Sequence, residues 1–215
     1  MKLVVLSAGL SVPSSTRLLA DRLAGAVQRH ASVSVRGGVD AEVEVVELRE
    51  LAVEIAHHFT NGFPGRRLAA ALEAVTAADG LIAVTPVFSA SYSGLFKSFF
   101  DVLDPDALSG KPVLIAATGG SARHSLVLEH ALRPLFSHLH AVVVPTGVYA
   151  ASEDWGAQGL PERIERAAGE LATLMAGLSA PAPASPPEPA KAGQGQEAGF
   201  TVTPFADQLA ALAAR

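Results

Sequence analysis

The chain has 215 residues, 49% of them hydrophobic and only 17% charged, which is ample apolar material for one α/β domain with an appendage. Its net charge of −5 is spread along the chain without a basic stripe, which argues against nucleic acid as a partner. With no cysteine, the sequence excludes disulfides, thiolate metal sites, iron–sulfur clusters and a cysteine nucleophile, and no apolar run approaches the ~18 residues of a membrane span.

Residues 2–7 (KLVVLS) form a Val/Leu run ending in small residues, the pattern of a buried parallel strand. The run stops at Ser7 and no Ala-x-Ala site follows promptly, so the start reads as a strand and not as a signal peptide, and the protein as cytoplasmic. From Thr16 to about Gln28, Leu18, Leu19, Leu23, Ala26 and Val27 recur at helical spacing. Residues 30–41 read as a loop, 42–48 (EVEVVEL) as a strand near the sheet edge, 66–78 as a helix and 80–85 (GLIAVT) as the third strand. Helix signals resume over Gly94–Leu103, then come a strand at 111–118 (KPVLIAAT), a helix over 124–139, a strand at 141–145 (AVVVP) and a last helix over 160–178. Strand and helix thus alternate five times, which predicts a doubly wound parallel sheet.

The character changes at residues 180–197, where five of the fourteen prolines sit among alanines and glycines. This composition predicts a linker over 179–198 that packs no core, separating a domain at 1–178 from a C-terminal segment at 199–215. Phe200, Val202 and Phe205 in that segment are costly to leave in water at ~25 cal/mol per Å², so docking is expected in preference to a free tail.

Open α/β sheets bind ligands beyond the carboxyl ends of their strands. Three loops leave such ends here. The first, Ser7 to Thr16 (SAGLSVPSST), crowds Ser11, Ser14, Ser15 and Thr16 at a helix start, where free amides and the dipole favour an anion. One of these residues would also serve as an ordinary N-cap. Neither G-x-G-x-x-G nor G-x-x-x-x-G-K-[ST] is present, so the dinucleotide fingerprint and the P-loop lose support. The second loop, within Thr85–Lys97 (TPVFSASYSGLFK), offers the backbone amides and apolar groups that a flat redox ring needs, although Phe88 and Tyr92 would equally suit a core. In the third, Ala117–His124 (ATGGSARH), paired glycines let the backbone approach a ligand closely, as they would in a plain strand-to-helix turn. The seven histidines include adjacent His57 and His58, but none makes an H-E-x-x-H spacing, and no metal site is expected.

Together these segments resemble the NADPH-dependent FMN reductase family. Residues 85–97 fit its T-P-x-[FY]-x-x-[SG]-x-[SP]-G-x-[LF]-K pattern. ATGGS at 117–121 followed by LRPLF at 132–136 is similar to the branch serving sulfonate monooxygenases and other luciferase-like, flavin-dependent monooxygenases. The resemblance covers about residues 1–178. Gly9-Leu10-Ser11 departs from the family's G-S-x-R-x-x-S, lacking both that serine and that arginine in place.

The resemblance implies a flavodoxin-like five-stranded sheet of order 2-1-3-4-5 with helices on both faces. It implies FMN as cofactor, with its phosphate against Ser11, Ser14, Ser15 and Thr16. The ring would lie along Pro86, Val87, Phe88 and Ser89, with Thr118, Gly119, Gly120 and Ser121 opposite. Hydride would pass from NADPH or NADH to flavin N5, with no protein acid, base or nucleophile required. Reduced FMN would then serve a partner monooxygenase. A quinone or azo reductase that keeps its FMN is the enzymatic alternative, and a flavodoxin-type electron carrier the non-enzymatic one. Relatives cover the exposed flavin face with a neighbouring subunit, so a homodimer or homotetramer is expected, with helices 94–103 and 124–139 in the interface.

Overall fold

Leucine and valine runs without polar alternation belong to strands buried on both faces, and β1 (Lys2–Ser7) shows why. Val4 and Leu6 face one hydrophobic core, while Leu3 and Val5 face a second core on the other side of the sheet. The computed structural model describes residues 1–34 and 41–179. The expected linker beyond Ser179 and the expected docking segment 199–215 lie outside the described residues, as does half of the expected 30–41 loop, residues 35–40. Helix α1 (Ser15–Ser34) runs five residues into that expected loop.

Beyond β1 come β2 (Glu42–Glu47), α2 (Ala52–Asn61), α3 (Arg66–Ala77), β3 (Gly80–Phe88), β4 (Ser91–Tyr92) and α4 (Gly94–Asp101). The second half runs β5 (Pro112–Gly119), α5 (Arg133–His138), β6 (Val142–Val143), β7 (Val148–Ala151) and α6 (Gly159–Ser179). The sheet order is β2-β1-β3-β5, then β6 and β7 both on β5, all parallel, with β4 folded back antiparallel on β3. This is the expected 2-1-3-4-5 order, with seven strands among the described residues instead of five. α1 and α6 cover the face carrying Leu3 and Val5. α3, α4 and α5 cover the other, where Phe96, Phe100 and Phe136 meet with ring centroids 4.8–6.3 Å apart.

The extra strands have local causes. The fifth position is split at residues 144–147, where Pro145 has no N–H to offer a ladder. The expected 141–145 strand therefore ends early, and Val148–Ala151, which pairs with the top of β5, was not anticipated. The expected helix over 124–139 is also broken, into a 3₁₀ turn at Ala122–His124, a π turn at Leu128–Leu132 and α5. The chain widens into the π turn just ahead of Pro134, which cannot donate to the carbonyl four residues back. α2 went unpredicted because only Ile55 within it is buried, leaving no apolar stripe to read.

Arg133 bridges the split strand. Its guanidinium donates to the carbonyls of Val144 and Pro145, both at 3.1 Å, and to both carboxylate oxygens of Glu129 at 2.6 and 2.9 Å. Those hydrogen bonds hold the Glu129 carboxyl below its ordinary 4.5. A carboxylate depressed in the folded state adds stability above the ordinary value and loses it as pH falls through the lowered one. The pair is half exposed, so its worth is only about 0.3–0.5 kcal/mol. Glu129→Gln is expected to cost that much at neutral pH in urea unfolding. The difference from the unaltered protein should vanish once pH is below the carboxylate range; a pH-independent difference would refute the ion-pair account.

Candidate functional site

Three strands reach the carboxyl edge of the sheet side by side. Pro86 on β3, Thr118 on β5 and Ala150 on β7 lie in register across it. This row is the base of a cavity of about 300 Å³, at the small end of ligand-pocket sizes. Ser15 at the start of α1 lines one side, Val87 and Phe88 another, and Gly119, Gly120, Ser152 and Trp155 complete the wall. None of these ten side chains is titratable.

The second loop is held from within. The Thr85 hydroxyl, fully buried, accepts from Ser93 N–H at 3.0 Å and donates to the Pro86 carbonyl at 2.9 Å. The Ser93 hydroxyl in turn caps α4 by accepting from Phe96 N–H at 3.2 Å. Thr85 and Ser93 thus shape the loop, leaving its outer surface free. Between them Val87 pairs with Tyr92 and Phe88 with Ser91, closing a hairpin whose two turn residues, Ser89 and Ala90, sit at φ 47° and 64°. Those positions favour Asn or Gly, and side chains there carry strain that is concentrated at functional sites. Phe88 stands 48% exposed on this hairpin, while Tyr92 turns inward beside Phe96.

The first and third loops are tied together. The hydroxyls of Thr16 and Thr118, both buried, hydrogen-bond to each other at 2.8 Å. Ser14 caps α1, accepting from Arg17 N–H at 3.2 Å and giving its carbonyl to Leu18 N–H. The first amides of α1, those of Ser15 and Thr16, have no carbonyl a turn earlier in the helix to bond to. Gly9 is required by close approach: a Cβ there would lie 2.0 Å from Ser14 Oγ. In the third loop Ser121 accepts Arg123 N–H on its hydroxyl and the Tyr149 O–H on its carbonyl at 2.8 Å. Burial, with Glu153 and Asp154 nearby, pushes the Tyr149 phenol above its ordinary value.

Of the twelve residues expected to bind the cofactor, Ser15, Pro86, Val87, Phe88, Thr118, Gly119 and Gly120 line this one cavity. Thr16 lies just behind it through its bond to Thr118. Ser11 and Ser14 line a neighbouring groove with Arg17, Glu47 and Arg49. Ser89 sits at the tip of the hairpin and Ser121 behind the third loop, neither on the cavity wall. Ala150, Ser152 and Trp155 were missed, because the strand that carries the chain to them follows the break at Pro145. Trp155 is held by the 3₁₀ turn Ser152–Gly156, where the Asp154 carboxylate accepts from Ala151 N–H at 2.9 Å. The Arg22 guanidinium lies 5.1 Å from the centre of its ring. No cluster of three metal-ligating side chains exists among the described residues. Nor is any helix there long and apolar enough to cross a membrane.

Residues 1–156 match the family model for NADPH-dependent FMN reductase. The chain belongs to that family. It is 37% identical over 183 residues to an FMN reductase (NADPH) of Pseudomonas aeruginosa, covering 83% of this chain and 94% of the relative. With the NADH-dependent FMN reductase SfnF of Pseudomonas fluorescens it shares 39% identity over 180 residues, 81% of this chain and 92% of the other. The crystal structure of an oxidoreductase from Corynebacterium diphtheriae superposes with a TM-score of 0.79 at 52% identity, over 82% of this chain and 97% of that one. The family's threonine–proline loop is thus the one that the buried Thr85 and Ser93 hydroxyls hold in shape.

Proposed function

We propose that the chain is an NAD(P)H:FMN oxidoreductase that binds FMN at the carboxyl edge of its sheet and supplies the reduced flavin to a flavin-dependent monooxygenase. The observation that carries this reading is the cavity itself: three strand ends, a helix N-terminus and two aromatic side chains converge on a pocket without a titratable wall residue. Bound FMN supplies an acceptor for hydride at N5, chemistry that belongs to the cofactor and requires no acid or base from the protein.

The residues present fit that group. The amides of Ser15 and Thr16 and the Ser15 hydroxyl at the start of α1 favour its phosphate through unpaired N–H groups and the helix dipole. Pro86, Val87 and Phe88 present an apolar surface for the ring, with Thr118, Gly119 and Gly120 on the opposite side. A Cβ on Gly120 would meet nothing within 4 Å, so this stretch of backbone borders open space that a ligand can occupy. Ser11 and Ser14 are second to Ser15 in this role, since they face the neighbouring groove. Trp155, Phe88 and the hairpin limit water at the ring, and the protein's task is to hold the two reacting rings ~3–3.5 Å apart.

Leu10, Val12, Phe88 and Leu126 are exposed apolar side chains on the loops of this edge. A second copy of the chain covering them, in a homodimer or homotetramer, removes that surface from water. The reaction draws on the cytoplasmic nicotinamide and flavin pools.

An anaerobic titration tests the reading. Purified protein with one equivalent of FMN should bleach the flavin absorbance on stoichiometric NADPH or NADH, and NAD(P)H turnover should accelerate with excess FMN. Flavin that binds but is reduced by neither nucleotide would leave an electron carrier. Turnover that rises with quinone or azo dye but not with added FMN would make the flavin a retained group.

A further inference from the structure

One wall of the flavin cavity belongs neither to the hairpin nor to the glycine loop. Trp155, the chain's only tryptophan, comes from the 3₁₀ turn Ser152–Gly156 after β7 and shares the cavity with Ser15 at the start of α1. Over its ring lies the Arg22 guanidinium, 5.1 Å from the centre. Arg22 follows Ser15 by seven residues, two turns of α1, so both project from the same side of that helix. The indole therefore closes the cavity on its α1 side, in addition to limiting water at the ring. It packs with the core shared by α1 and α6, on the opposite face of the sheet from α4 and α5, and so away from the two helices expected to meet a second copy.

The turn that carries the indole is fixed from three directions. Glu153 accepts Ala122 N–H at 3.2 Å, which joins the turn to the loop after β5. Asp154 accepts Ala151 N–H at 2.9 Å and pairs with Arg163 of α6 at 3.3 Å. Arg22 supplies the third contact, from α1. A side chain tied to a strand-end loop and to both helices of one face is a wall and not a lid. Next to it, between α1 and α6, runs a groove of about 240 Å³ lined by Arg22 itself with Gly25, Pro161 and Ile164. Trp155 and its arginine thus separate the flavin cavity from a further space that begins two turns below Ser15. The other groove adjoining Ser15, that of Ser11 and Ser14, offers a second phosphate no free cation, because Arg17 is paired with Asp21 and Glu47 and Arg49 with Glu47.

We propose that Trp155 determines which flavin the site accepts, admitting FMN and excluding FAD. The inference rests on the flavin-reductase reading and its placing of the phosphate at the start of α1, and it adds the residue that limits the flavin at that end. FMN ends at its phosphate, whereas FAD continues from the same phosphate into a second phosphate, a ribose and adenine. On the α1 side that continuation meets a fixed indole whose arginine is already engaged. On the other side it meets paired charges and no free donor. A rigid obstacle of this kind selects against the larger ligand without adding affinity for the smaller one.

The test titrates oxidised FMN and FAD, without nicotinamide, into the full chain by calorimetry, and follows the fluorescence of its only tryptophan in parallel. The unaltered protein should bind FMN at least about tenfold more tightly than FAD, with Trp155 emission falling as FMN saturates. Trp155→Ala opens the cavity toward the α1–α6 groove and frees Arg22 for a phosphate, so its affinity for FAD should rise at least about tenfold and the two flavins should come within about threefold of each other. Trp155→Phe, which keeps a ring under Arg22, should retain most of the preference. Arg22→Gln leaves the indole in place but unties it, and should lower the preference part of the way even where Trp155→Ala fails to fold. KM for FAD in NADPH oxidation should follow the same order. Equal affinities in the unaltered protein, or a preference unchanged by Arg22→Gln and by every Trp155 variant that folds, would overturn the proposal. So would a preference that narrows only because FMN binds more weakly. Both flavins bound with the expected preference but reduced by neither nucleotide would remove the reductase reading alone, and neither flavin bound would remove both.

Discussion

Gly119→Ala is expected to cut FMN-dependent NADPH oxidation at least tenfold and to lower unfolding stability by about 1–3 kcal/mol, the range for overpacking a close-packed site. A Cβ on Gly119 would fall 2.1 Å from Tyr149 Oη and 3.1 Å from its Cζ. The tyrosine cannot simply swing aside, because its hydroxyl donates to the Ser121 carbonyl at 2.8 Å and the residue is a buried member of the core. Either the phenol or the loop must move, and the loop carries Thr118 and Gly120 on the cavity wall. The neighbouring glycine is the control. Nothing lies within 4 Å of a Cβ on Gly120, so Gly120→Ala should fold with unaltered stability and raise only the KM for FMN. Tyr149→Phe removes the nearest atom, so the Gly119→Ala, Tyr149→Phe double variant should recover part of the stability lost in Gly119→Ala. Urea melts and steady-state kinetics on the four proteins decide the matter. A Gly119→Ala protein that melts and turns over as the parent does would show that the glycine is not required for close approach.

The paired glycines illustrate how far the sequence could be read. From composition, Gly119 and Gly120 are interchangeable signs that backbone approaches something closely. Only the structure separates them, one facing a tyrosine and the other the cavity. The strands with unbroken apolar runs, at β1, β3 and β5, were legible because burial on both faces leaves no polar positions to confuse the period. Chain segments whose form is set by tertiary neighbours were not. α2 buries one residue of ten and shows no stripe. β7 follows a proline and a glycine that read as the end of the sheet, and Trp155 beyond it carried no signal of returning to the site. The serines and threonines were located correctly at loop and strand ends, but their roles are not a matter of residue type. Thr85 and Ser93 shape the second loop, Ser14 caps a helix, and Ser15 faces the cavity.

Thr16 and Thr118 show the same point with an energetic consequence. The two residues are 2% and 4% exposed, and among the described residues each hydroxyl is the other's hydrogen-bond partner across 102 positions of sequence. Thr16→Val should therefore leave Thr118 Oγ1 buried without a partner and cost about 1–3 kcal/mol, and Thr118→Val should do the same to Thr16. Replacing both removes the two polar groups together, so the double variant should be more stable than the sum of the singles predicts, by an interaction energy of about 0.5–3 kcal/mol. The pair also joins the start of α1 to the end of β5, the two elements proposed to hold opposite ends of the flavin. Each single variant should then raise KM for FMN while the double variant, stable again, still lacks the tether and keeps the raised KM. Stability and flavin affinity would thus part company in one set of four proteins. Additive stability losses would mean that the two hydroxyls do not depend on each other. A double variant that regains the parent's KM would mean that packing alone, without the hydrogen bond, aligns the helix with the strand.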